Sequence, residues 1–236
     1  MAERGLSWRL ATINELGWRG KNRKQRLWCN AATGRSICKL VEKIQHKLPK
    51  LFHLAELESS RAGKIGMEVG SIREKIIVAL LIHKFGEENV KTDIPITEAE
   101  VDVEVFGNPL SIKTITGKNL SGVKLIWTVD AAKSKEFRET YLPFCDMILI
   151  QVNWGSNGGF YLIPKETQLD VLNNLGRTTY IKLPKTGTNP RGVELSRQAL
   201  QELVRHKDTM IIPIDWKKEE IDFKPLKRWI ELWEKE

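Results

Sequence analysis

Cysteine is scarce in this 236-residue chain: Cys29, Cys38 and Cys145 are all it has, and no two form a CxxC pair. That excludes a disulfide-stapled secreted scaffold. Cys29 and Cys38 can be grouped with His46 and His53, but the spacing fits no standard zinc pattern, and reduced cysteines in a helical region are the simpler expectation. Long apolar runs are missing too. The longest, Ile76 to Ile82, is far too short to span a bilayer. The N-terminal stretch lacks the apolar core of a signal peptide, so a cytoplasmic location without a membrane partner is expected. No internal repeat or low-complexity tract appears, which leaves a globular fold.

Positive charge, by contrast, is in excess. The formal net charge is +8 and the pI about 9.3, which points to a polyanionic partner, nucleic acid above others. Charge alone does not separate DNA from RNA or ribosome.

The most informative stretch is Ile96 to Thr116. Glu98, Glu100, Asp102 and Glu104 alternate with Ala99, Val101, Val103 and Val105, the period-two pattern of a strand with one acidic and one apolar face. Gly107-Asn108 is turn chemistry. A second strand then carries Ser111, Lys113 and Ile115 on one face and Leu110, Ile112 and Thr114 on the other. A two-residue loop at Gly107-Asn108 would set Phe106 against Pro109, Glu104 against Ser111 and Asp102 against Lys113. A carboxylate beside an ammonium suits phosphodiester hydrolysis, in which a divalent cation polarises the phosphate and lowers the pKa of water, while the lysine neutralises charge or orients the attacking water. The alternative is a cross-strand salt bridge on a solvated face. Only Lys113 offsets the four acids on that face, which favours a bound cation.

Around this hairpin, Arg19 to Arg26 is the densest basic run, either a solvated loop or a phosphate-contacting arm. Trp8, Trp18 and Trp28 nearby follow no structural period and serve as packing anchors. Ile37, Leu40, Val41, Ile44, Leu48, Leu51 and Leu54 form a helical stripe expected to break at Pro49. Met67 stands between Gly66 and Gly70 on a tight connection, where a methionine is a packing contact or, on DNA, a wedge between base pairs. Ser71 to Phe85 reads as a helix with Ser71 as N-cap and Gly86 as stop. Within it Glu74 either closes a capping box onto Ser71 or joins Ile77, Val78 and Leu81 on a face turned to the sheet, as a second carboxylate.

Farther on, Val123 to Val129 predicts a short strand, Ala131 to Tyr141 a charged helix, and Met147 to Asn153 a buried strand that turns through Trp154 to Gly159 into Phe160 to Ile163. Lys182 to Arg197 is a basic Gly/Pro-rich segment leading into a helix over Ser196 to Arg205. Its Lys185, Asn189, Arg191 and Arg197 are of the types that read base edges. The tail from Asp215 carries Trp216, Leu226, Trp229, Ile230 and Trp233 on an expected amphipathic helix used for packing or dimerisation. Helix, acidic strand, lysine strand, helix and strand make a mixed α/β core, a β-sheet flanked by helices with a helical N-terminal part.

Asp102 followed on the next strand by Ser111-Ile112-Lys113 resembles the PD-(D/E)XK nuclease core. Two departures stand out: no proline precedes Asp102, and Ser111 occupies the place of the second acid. Some members take that acid from a neighbouring helix, which is where Glu74 stands. More narrowly, Met67 ahead of the Glu74 helix, the spacing of Glu74, Asp102 and Lys113, SIKTITG at 111 to 117 and VNWGSNGGFYLIP at 152 to 164 resemble the ThaI type of type II restriction endonuclease. The resemblance implies Mg2+-dependent double-strand cleavage of the palindrome CG/CG, with blunt ends, by a homodimer acting on double-stranded DNA, without a small-molecule substrate. It also implies roles. Asp102 and the main-chain carbonyl of Ile112 would bind metal, Glu74 would hold metal or its water, Lys113 would position or activate the attacking water, and Met67 would be the wedge. Glu104 rivals Glu74, since it would face Ser111 across the hairpin. A single nuclease domain over 1–236 is expected, with a basic helical part at 1–65, a catalytic core at 66–166 and a DNA-contact loop with helices at 167–236. The competing classes are a non-catalytic nucleic-acid-binding protein and a structure-selective repair nuclease.

Overall fold

The computed structural model describes residues 34–61, 64–66, 68–95, 100–128, 130–184 and 192–235. Its elements begin with α1 (Gly34–Glu58), β1 (Ser60–Arg61), β2 (Lys64–Ile65), α2 (Val69–Phe85), a 3-10 turn (Glu87–Asn89), β3 (Val90–Lys91), β4 (Val103–Val105) and β5 (Asn108–Thr116). They continue with β6 (Lys124–Ile126), α3 (Ala131–Thr140), β7 (Asp146–Val152), β8 (Ser156–Ile163), α4 (Lys165–Leu175), α5 (Arg177–Tyr180), β9 (Ile181–Lys182), β10 (Val193–Leu195), α6 (Arg197–Arg205), β11 (Met210–Trp216) and α7 (Lys227–Trp233).

The main sheet has six strands in the order β11-β8-β7-β5-β4-β3. β5 and β7 run parallel and the other pairs antiparallel. A parallel pair needs a crossover, here the segment containing β6 and α3. Every residue of β7 is buried, as its apolar run demands of a strand covered on both faces. On one face Leu110, Ile112, Ile148 and Ile150 pack with Ile44, Leu48 and Phe52 of α1 and Ile77 and Leu81 of α2. On the other, Ile115, Met147 and Leu149 pack with Val171 and Leu172 of α4 and Ala199, Leu200 and Leu203 of α6. A smaller sheet, β6-β10-β9, lies beside the second cluster. Mixed sheet and flanking helices agree with the architecture expected from sequence.

Several local expectations are corrected. Helix α1 runs unbroken through Pro49. Pro49 itself is buried, and burying Ile44, Leu48 and Phe52 at about 1.5–3 kcal/mol each outweighs the roughly 3 kcal/mol cost of an interior proline. The buried stripe accordingly uses Phe52 and Ala55, leaving Leu51 exposed. Ser71 is no N-cap. Helix α2 starts earlier, at Val69, its N-cap position is Glu68, and no side chain caps it, so the capping box does not form.

The hairpin register differs as well. Val105 pairs with Asn108, Glu104 with Pro109 and Val103 with Leu110, so the loop residues are Phe106 and Gly107. Both have positive φ, 50° and 73°, the requirement of a type I′ turn. Phenylalanine is strained there, but its ring packs edge-on against Phe85 and its N–H donates to the Asn89 carbonyl. Relative to the expected pairing the strands are displaced by two residues, an even number, so each side chain keeps its face. Trp216 is not on the tail helix. It ends β11, fully buried, and sits so close to Gly158 that a Cβ there would stand 2.6 Å from its Nε1. The tail helix is only α7, where Trp229, Ile230 and Trp233 remain exposed. Of the Trp154 to Gly159 turn, Ser156 onward is already strand β8.

Candidate active site

Strand β4 separates from β5 at Asp102. The Asp102 N–H still donates to the Leu110 carbonyl at 3.0 Å, but the next ladder donor, the Ile112 N–H, goes to the Asp102 side chain instead, with Oδ2 accepting at 2.6 Å. The carboxylate thus continues the ladder where backbone pairing ends, at the level of the sheet. Two more donors converge on Oδ2: the Ser111 hydroxyl at 3.2 Å and the Lys113 ammonium at 3.0 Å. Asp102 and Lys113 side chains are 17% and 19% exposed, reachable yet partly desolvated, which strengthens their attraction over a surface pair. Because N–H and C=O of one strand residue point to the same side, the Ile112 carbonyl also faces the gap left by β4.

Helix α2 closes the gap from the face of the first cluster. Arg73, Ile77 and Leu81 are its buried residues, and Glu74 beside them is half-buried. Burial, and next the Asp102 charge, push the Glu74 carboxyl above its ordinary range, while Lys113 and Lys75 pull weakly the other way. Glu74 and Asp102 therefore feel each other's charge across the gap. Glu104, the rival second acid, turns to Lys91, 3.4 Å away, and stands opposite Pro109 rather than Ser111. Glu98 lies outside the described residues. Glu100 is also drawn off: it accepts from the Phe144 N–H at 3.3 Å and from the Tyr141 hydroxyl. Burial raises its pKa and Lys113 lowers it, so Lys113 has three carboxyls around it, only one in contact. The expectation that Lys113 alone offsets this acidic row is thus corrected, since Lys91 takes Glu104.

The family described as restriction endonuclease ThaI matches residues 36–235. The chain belongs to that family. A solved structure, "Restriction endonuclease in complex with substrate DNA", is 57% identical, covers 86% of this chain and 96% of its own, and superposes with a TM-score of 0.78. No curated protein matches. The chain is thereby a restriction endonuclease, a site-specific DNA nuclease of mixed α/β fold, and the binding-only class drops out.

For a restriction endonuclease the remaining question is what the gap can hold. Among the described residues no three carboxylate, imidazole or thiol side chains gather closely enough to enclose a metal. Two carboxylates, Asp102 and Glu74, with the Ile112 carbonyl, are the hard oxygen donors that could hold a metal here, of a kind that suits Mg2+, Mn2+ or Ca2+ and not a soft metal. The raised Glu74 carboxyl fits this too, since a cation would relieve its repulsion from Asp102.

Met67, Lys185, Asn189 and Arg191 lie outside the described residues, as do Arg19 to Arg26. Arg197, at the start of α6, donates to Asn119 Oδ1 at 3.2 Å on the loop after β5. Two features escaped sequence reasoning. Trp127 is 73% exposed with the Lys124 ammonium 3.4 Å from its ring centroid. Gly192 is packed close to the backbone of Ile126 and Trp127, where an added Cβ would clash with the Ile126 carbonyl oxygen. The other is a buried polar cluster around Arg73 and Glu56. Its signal was a carboxylate four residues after Phe52 on the inward stripe of α1.

Proposed function

We propose that the gap between β4 and β5 is the catalytic site of a type II restriction endonuclease that makes Mg2+-dependent double-strand cuts in DNA. The observation that carries this is the Asp102 carboxylate, held by Ile112, Ser111 and Lys113 at the point where the strands part, with Glu74 of α2 within its field. In this assignment Asp102, Glu74 and the Ile112 carbonyl hold the cation. Mg2+, when bound, supplies Lewis-acid polarisation of the scissile phosphate and a lowered pKa for the attacking water. The protein's part is positioning. Three donors keep Asp102 in one orientation, Lys113 directs its ammonium at the reacting phosphate and orients or activates the water, and α2 keeps Glu74 facing Asp102.

The target we propose is the palindrome CG/CG, cut to blunt ends, on the strength of membership in the ThaI family. A palindrome has a dyad, and cutting both strands symmetrically calls for two copies of the site, hence a homodimer. DNA contact is assigned to Met67 as a wedge and to Lys185, Asn189, Arg191 and Arg197. The +8 charge supports polyanion binding, and the solved relative is a complex with substrate DNA. A cytoplasmic location follows from this role, and no helix among the described residues is long and apolar enough to cross a membrane.

Digestion of long, unmethylated DNA of known sequence with Mg2+ and with EDTA, followed by sequencing of fragment ends, tests the whole assignment. Discrete Mg2+-dependent ends at CG/CG are expected. Ends at another palindrome would remove the specificity and keep the nuclease. Cutting that persists in EDTA would overturn the metal site.

A further inference from the structure

Arg73 and Glu74 are neighbours on α2, yet they face different surroundings. The Arg73 and Glu56 side chains are 4% and 3% exposed. Arg73 Nη2 donates to Glu56 Oε1, and its Nη1 donates to the Thr116 hydroxyl at 2.8 Å. Its guanidinium also lies 5.4 Å from the centroid of Phe52. The same Glu56 Oε1 accepts from the Trp154 indole N–H at 2.7 Å, and Oε2 faces the Lys218 ammonium at 2.8 Å. One buried carboxylate therefore ties together α1, α2, the turn between β7 and β8 and the segment after β11, while Arg73 reaches on to β5. Burial works to raise the Glu56 carboxyl, but Lys218, Trp154 and Arg73 outweigh it and hold it below its usual range.

Stability gives no reason to bury such a pair. Well-packed apolar side chains in its place are often neutral or stabilising, and Ile77 and Leu81 already supply an apolar contact for α2. What an apolar contact lacks is direction. Apolar packing resists a full turn of one residue, about 100°, which would expose Ile77 and Leu81, but it fixes small tilts and slides only loosely. A planar guanidinium fork bonded on both sides does not tolerate that. Its two anchors are informative: Thr116 lies on the strand that carries Ile112 and Lys113, and Arg73 precedes Glu74.

We propose that Arg73 is a positioning residue for the cleavage site, locking the rotation and height of α2 against β5 through Thr116 and Glu56 so that the Glu74 carboxylate meets Asp102 across the gap. This rests on the assignment of Glu74 and Asp102 as the cation-binding pair.

The test compares Arg73→Lys, Glu56→Gln and Thr116→Val with Glu74→Gln and with Val171→Ala, a buried truncation on the opposite face of the sheet. Thr116→Val removes only the bond to β5, at an exposed and nearly isosteric position, so it keeps the test alive should the buried variants fail to fold. Mn2+ affinity is read from the electron paramagnetic resonance of free Mn2+, and the Mg2+ concentration for half-maximal cleavage is read at saturating DNA. Arg73→Lys and Thr116→Val are expected to weaken both roughly tenfold or more, the scale of an outer-shell orienting contact, with the maximal rate largely recovered at high Mg2+. Val171→Ala should lower Tm and change neither. Unchanged Mn2+ affinity in Arg73→Lys and Thr116→Val would reduce the cluster to a structural role and overturn the proposal. Unchanged affinity in Glu74→Gln would instead show that the metal-site assignment had failed, and the positioning role would fall with it.

Discussion

Replacing Asp102 by asparagine preserves shape and removes one charge, so its effects separate cleanly. The asparagine carbonyl can still accept from the Ile112 N–H, which the wild-type carboxylate does at 2.6 Å. It cannot attract the Lys113 ammonium as an ion partner, which the carboxylate holds at 3.0 Å. A hydrogen bond to a charged group contributes about 1.5–3 kcal/mol, and relief of the repulsion raising Glu74 offsets part of that loss. Net destabilisation of no more than ~2 kcal/mol follows, a Tm change of at most about 8 °C for a chain of this size. Activity should fall far more. On the proposed assignment, loss of the charge that would hold the cation and that fixes Lys113 is expected to cost at least ~1000-fold in single-turnover cleavage, about 4 kcal/mol of barrier. Binding should move the opposite way. Without metal a carboxylate a few ångströms from a phosphate repels it by about 1 kcal/mol even at the dielectric of water, so the variant should bind DNA roughly fivefold more tightly in EDTA. Single-turnover kinetics, calorimetric Tm and equilibrium DNA binding read the three quantities. A variant that cuts within tenfold of the wild-type rate would refute the assignment of Asp102, and a Tm loss beyond about 15 °C would show that its role is in folding.

Glu74 carries a pH dependence of known sign. Its carboxyl is raised in the folded protein, by burial first and Asp102 second, so with Glu74 as the proposed cation ligand a proton would compete at a higher pH than for an ordinary glutamate, and the Mg2+ requirement should climb as pH falls from neutrality. For the metal-free protein the folded state favours the protonated group, so that stability is complete at acid pH and is lost as pH rises through the raised value. Glu74→Gln should therefore raise Tm in EDTA at neutral pH and give no gain at acid pH, and a gain equal at both would refute the coupling. Trp216, fully buried against Phe52 and Trp154 at 5.5 and 5.4 Å between ring centroids, should cost about 3–5 kcal/mol as alanine, a Tm loss of roughly 6–20 °C by calorimetry. A loss under about 3 °C would contradict the packing.

The elements whose local pattern and long-range burden agree were legible in the sequence. The run from Ile76 to Ile82 gave away α2, the apolar run of β7 a buried strand, and the segment from Ser196 to Arg205 the helix α6, which the Ser196 hydroxyl caps by accepting from the Ala199 N–H at 3.0 Å. Spacing also put Asp102 and Lys113 on one face of neighbouring strands, where they meet at 3.0 Å. Errors occurred where a distant partner decides a local choice. Pro49 reads as a helix breaker until the sheet beneath it is counted, and Ser71 reads as a cap until α2 begins before it. Gly107-Asn108 reads as the loop until Phe85 and Asn89 are seen holding Phe106 in a left-handed conformation. Trp216 joined the tail in the linear pattern because β11 had no recognised partner, whereas β8 supplies one through the whole strand.

By itself, then, the sequence determined the excess of positive charge, the acidic and apolar alternation of which Val103–Val105 forms strand while Glu100 to Asp102 does not, the lysine that follows it and the family to which the chain belongs, because each is written in residues close in the chain or in their spacing. Only tertiary structure set apart the surroundings of the two candidate second acids. Glu74 and Glu104 carry the same carboxyl, and periodicity places both toward the sheet. Lys91, brought opposite by the pairing of β3 with β4, pairs with Glu104, while Glu74 is half-buried on α2 and its carboxyl is raised by burial and then by the Asp102 charge. The physical reason is that charge interactions act through space within a few ångströms, and the partners of Glu56, Arg73 and Glu74 come from segments up to 162 residues apart in the chain that only folding brings within that range.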